Sequence, residues 1–238
     1  MGNAKFKNLL RDRESFFETI FRGEKLYLII IKLLIISILL FAVYGFVMGI
    51  YNSVQQAISS MIKVPVLFYL CLFICYPALF VFNILIGSKL TVGKSLAMIL
   101  SAYTLIACVL ASFAPIAMFF ILIGSSYPFL RLLHVAIFTI SGIAGMMVLY
   151  NGLTLACEYQ SIYPKQSLRV FQVWVIIFAF VGSQLAWNLR PFIGNKNLPF
   201  QLFRKQESNF YSHIFHTINQ FIFGEEQPEK PKPDTTYY

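Results

Sequence analysis

The middle of this chain has no carboxylates. Between Leu26 and Cys157 there is neither Asp nor Glu, and the basic groups are few: Lys32, Lys63, Lys89, Lys94 and Arg131, with one histidine, His134. A charged side chain at mid-bilayer costs about 2.5–3.5 kcal/mol on insertion scales. A stretch that long without an acid therefore excludes a water-exposed core and points to several helices crossing a membrane. Charge is scarce over the whole chain as well. Charged residues make up 12% of it, against about 25% in typical globular domains, while 58% are hydrophobic and the mean hydropathy is +0.70. The length accommodates one membrane domain with modest ends and no separate soluble domain.

Other absences narrow the function. The net charge of +9 is spread over the ends and loops of apolar runs, where basic residues act as topology signals and headgroup contacts, so nucleic acid is not an expected partner. Cys71 and Cys75 share a helix face, but no His or acid stands near them; they and Cys108 and Cys157 read as small apolar fillers, with no disulfide framework. His213 and His216 lack a third ligand, so no metal and no cofactor is expected. Gly87 to Ser95 resembles a phosphate-binding loop, yet five residues separate Gly87 from Gly93 where that motif needs four. No short apolar stretch with a small-residue cleavage site precedes the first span, and Phe6 stands where myristoylation needs Ser or Thr.

What is there is an all-α, polytopic helical membrane protein of about five transmembrane helices, with amphipathic interfacial helices at both ends. Residues 1–25 form an N-terminal segment in which Phe6, Leu9, Leu10, Phe16, Phe17, Ile20 and Phe21 make one stripe opposite mixed charge. That pattern suits a helix in the headgroup plane, or one packed on the protein's own surface. The five-helix domain occupies 26–192, with spans near Leu26–Tyr51, Val64–Gly87, Leu96–Gly124, Leu132–Ala156 and Leu168–Trp187. Asn52–Lys63 reads as a polar loop, Pro77 as a kink, and Pro115 as the point where the third span tilts or breaks. Residues 193–224 form a tail with a second interfacial helix at 209–223, and 225–238 a disordered stub.

Two places carry recognisable packing or anchoring residues. Gly45 and Gly49 form a GxxxG, and Ser141 and Gly145 belong to a small-residue face on the fourth span; both allow close helix approach. At the end of the fifth span, Trp187 and Arg190 lie on nearly one helical face before Pro191, which stops the helix. They suit an interfacial anchor, or a clamp in which Arg190 grips Glu207 or carbonyls of the returning tail. His134 fits a headgroup-level or hydrogen-bonded imidazole better than a metal ligand.

Five spans put ten basic residues on the N-terminal side and six on the other, so the positive-inside rule places the N-terminus in the cytoplasm. The span count, the polar N-terminal segment and the run Gly182-Ser183-Gln184-Leu185-Ala186-Trp187-Asn188-Leu189-Arg190-Pro191-Phe192-Ile193-Gly194, followed by Phe203-Arg204 and Glu207-Ser208-Asn209-Phe210-Tyr211, resemble the Yip1-like family of small membrane proteins, in its bacterial branch. That resemblance implies a five-helix fold in a bacterial inner membrane and no activity. The expected function is a non-enzymatic scaffold or accessory subunit that packs with the lipid bilayer and with a protein partner or a second copy of itself. The alternative is a small-solute or ion transporter, for which Asn83, Ser101, Thr104, Asn151, Thr154, Ser183 and Gln184 would line a path; a lipid-modifying enzyme is the third reading.

Overall fold

The computed structural model describes residues 13–85, 87–158, 167–194 and 202. Among them are six α-helices and no strand: α1 Arg13–Arg22, α2 Leu26–Gly49, α3 Val54–Leu85, α4 Val92–Leu122, α5 Tyr127–Glu158 and α6 Ser167–Asn188. Helices are what a bilayer permits, since each satisfies its backbone internally. Five of them, α2 to α6, are long and apolar enough to cross a membrane. About 20 residues span a 30 Å hydrocarbon core, so α3, α4 and α5, with 32, 31 and 32 residues, have length to spare for tilt or projection. Glycine ends α4: Gly124 at φ 76° lets Gly124 N–H reach Ile121 O and Ser125 N–H reach Phe120 O, closing the last turn.

One expectation is overturned and two open alternatives are resolved. Asn52–Lys63 is not a loop, because α3 begins at Val54. Its first turns are inside-out. Val54, Ile58, Ile62 and Val66 point outward, while Gln56, Ser59, Ser60 and Lys63 are buried. Apolar residues facing lipid and polar ones facing protein make a membrane helix out of a stretch whose average polarity resembles a loop. Pro65 and Pro77 lie within α3, and Pro115 within α4, yet both helices run unbroken; α4 crosses once, which keeps the count at five. The apolar stripe of α1 turns onto the bundle rather than toward headgroups: Phe16, Phe17, Ile20 and Phe21 are all buried, and α1 touches α4 and α5. The Phe17 ring occupies the space beside Gly152 of α5 where a side chain would otherwise stand. Residues 1–12, the 209–223 helix and the 225–238 stub lie outside the described residues.

The core has a common aromatic layer to which every spanning helix contributes. Phe41 of α2 stacks on Phe68 of α3 at 4.1 Å between centroids, and Tyr103 of α4 meets Phe68 edge-on at 5.8 Å. Phe138 of α5 stacks on Phe68 at 6.1 Å, and Phe178 of α6 meets Tyr103 at 6.2 Å. Tyr103 Oη donates to Phe68 O at 3.1 Å, so the one hydroxyl in this set is satisfied.

Candidate functional site

The densest polar cluster among the described residues sits where α6 ends, on the inward face of early α3. Positions 56, 60 and 63 share a helical stripe. Gln56 Nε2 lies 2.8 Å from Pro191 O and 3.0 Å from Phe192 O; Lys63 Nζ donates to Pro191 O at 3.1 Å and also to Leu202 O. Ser60 Oγ donates to Phe192 O and stands 3.2 Å from Gln56 Nε2. A carbonyl has two lone pairs, and those of Pro191 and Phe192 each receive two donors. Gln56, Ser60 and Lys63 are 1%, 0% and 6% exposed. A buried ammonium needs oxygen ligands, and here backbone carbonyls supply them.

A second polar pair joins α2 and α5. Tyr44 Oη and His134 Nδ1 are 2.7 Å apart, and both residues are buried; His134 Nε2 has no hydrogen-bond partner among the described residues. Ser59 Oγ of α3 is likewise without a partner among the described residues, while other intramembrane hydroxyls close on backbone or on each other. Ser101, Thr104 and Ser141 bond the carbonyl one turn back, Thr104 also lies 3.2 Å from Leu33 O of α2, and Ser37 Oγ meets Tyr69 Oη at 2.6 Å. These contacts join helices or relieve buried donors. At the opposite end, an open cleft of about 330 Å³ runs between α1 and the last turns of α5, lined by Arg13, Glu14, Asn151, Thr154 and Glu158 among others.

The residues singled out from the sequence fall into two groups. Gly45 and Gly49 face α3 of the same chain: a Cβ at Gly45 would stand 2.4 Å from Ser60 O, and one at Gly49 would stand 2.6 Å from Ala57 Cα. Gly145 faces α4, with Ile106 Cγ1 at 2.2 Å and Ala102 O at 3.1 Å from such a Cβ, while Ser141 is buried one turn before it. At the end of α6, the Arg190 guanidinium lies over the Trp187 ring at 3.5 Å, Trp187 itself is buried, and Pro191 is buried after a cis peptide bond. Glu207 lies outside the described residues. The tail beyond Leu202, which such a clamp would hold, lies outside them as well, while the carbonyls of Pro191 and Phe192 are bonded by Gln56, Ser60 and Lys63. Sequence reasoning missed these three; the signal that finds them is the i, i+4 repeat of Val54, Ile58, Ile62 and Val66.

Fold and site together define a polytopic helical membrane protein. No known protein family, curated protein or solved structure matches the chain.

Proposed function

We propose that this chain works as a non-enzymatic membrane scaffold or accessory subunit, engaging a protein partner or a second copy of itself through its lipid-facing helices. One observation carries the reading. The place where a conduit or substrate cavity would run is filled by the aromatic layer of Phe41, Phe68, Tyr103, Phe138 and Phe178, drawn from all five spans. Such a layer gives rigidity rather than passage. The outer surfaces offer apolar side chains, among them Ile140, Ile143 and Met147 on α5 and Val173, Ile176 and Phe180 on α6. A cytoplasmic N-terminus is supported by the ten-to-six basic asymmetry, and kinship with Yip1-like proteins of a bacterial inner membrane by the run from Gly182 to Gly194 and the span count. The transporter alternative is favoured by the buried Tyr44–His134 pair with its unpartnered Nε2, since intramembrane histidines serve in proton relays.

The two readings separate by experiment. Extracted from its own membrane in a mild detergent, the chain is expected to run as a complex of fixed stoichiometry, and in sealed liposomes to leave an imposed pH gradient intact. A monomer that collapses the gradient, and stops doing so on His134→Phe, overturns the scaffold reading.

A further inference from the structure

We infer that Gln56, Ser60 and Lys63 form an intramembrane latch that keeps α6 docked on the bundle by holding the chain where it leaves that helix. The need for such a device follows from how α6 packs. It is the least apolar of the five spans, and its main neighbour is α3, with a lighter contact to α5. Its packing face is a single stripe of Phe171, Trp174 and Phe178. In lipid, apolar surface alone does not drive helices together, because acyl chains are as apolar as leucine. Directional bonds must then hold a peripheral span. Two lie within the span, Trp174 Nε1 to Cys75 O at 2.9 Å and the weaker Cys71 Sγ to Phe178 O at 3.7 Å. The others cluster at the exit, where three α3 side chains saturate the carbonyls of Pro191 and Phe192 and reach Leu202 O.

The geometry of the exit fits this role. The donors project from a helix already fixed against α2 through Gly45 and Gly49, so the latch is anchored in the rigid part of the fold. Gly194 seats the turn against Asn52 of the α2–α3 connection, where a Cβ would come within 2.7 Å. Charge is part of the design: an ammonium placed among carbonyls leaves them only at the cost of losing its oxygen ligands.

Hydrogen–deuterium exchange of the full chain in lipid nanodiscs tests the latch. Lys63→Met keeps the apolar stem and removes the donors. Amides of residues 186–194 should then exchange at least about tenfold faster, while peptides from α2 and α4 keep their protection. Gln56→Leu, which removes donors without touching charge, should show the same local pattern more weakly. Unchanged exchange at 186–194 overturns the latch. So does equal acceleration throughout the bundle, or failure of both variants to fold, since either would make these residues general supports of the fold.

Discussion

Helices α4 and α6 solve one problem in opposite ways. Both must adhere to protein in a solvent that rewards no apolar contact in particular. Helix α4 does it by shape. Ala97, Ala102, Ala107, Ala114 and Ala117 are at most 5% exposed, and Gly145 of α5 lets Ile106 and Ala102 press against its backbone. Small residues let helix axes approach until dispersion forces accumulate. Helix α6 has few such residues on its packing face and presents large rings instead, with an indole N–H bonded to Cys75 O and an exit turn held by Lys63. Close packing makes α4 the fixed centre, and directional bonds make α6 an attached span. The same lipid environment therefore yields two kinds of helix contact, with different vulnerabilities.

Filling the space beside α4 should do the most damage. Gly145→Leu drives a side chain into Ile106 and Ala102, and overpacking of this kind costs about 3 kcal/mol; denaturant titration in bicelles should show it as a loss of global stability. If Gly145→Leu is neutral, close approach is not what holds α4. Smaller and local is Trp174→Phe, which removes the bond to Cys75 O while keeping an aromatic ring. An intramembrane hydrogen bond contributes about 0.6 kcal/mol and at most about 1.7, so exchange should quicken in α6 and nowhere else. Spreading of that effect into α4 would erase the distinction between the two helices. Least of all should follow from Lys32→Met. Lys32 is exposed on the outer face of α2 near its start, where a four-carbon stem reaches the headgroups. Its loss should shift stability by less than about 0.5 kcal/mol in the same titration.

The spans themselves are legible in the chain because α2, α4 and α5 are apolar around nearly their whole circumference, so no knowledge of neighbours is needed to see them. Early α3 is not legible in that way. Its polarity is confined to the face carrying Gln56, Ser59, Ser60 and Lys63, and a window average over both faces resembles a loop. Only the outward repeat of Val54, Ile58, Ile62 and Val66 betrays the helix. The prolines mislead for a related reason. Pro65, Pro77 and Pro115 each remove one backbone bond, yet the helical hydrogen bonding resumes on either side of them. Arg190 and Trp187 could be named from the sequence as a pair, and they do stack, yet the partners of the exit carbonyls come from a helix more than a hundred residues away. Long-range pairing of that sort leaves no local trace.

The seat of Phe17 on Gly152 has a consequence for biogenesis. The ring belongs to the first of the described helices, and its seat to the fifth. At about 5–20 residues per second, on the order of ten seconds of synthesis separates the two. Until then Phe16, Phe17, Ile20 and Phe21 have no interior to enter, and a nascent chain carrying them exposed is a client for whatever shields apolar segments at the translocon. The speed of translation from α1 through α5 thus sets how long Phe17 waits for its seat.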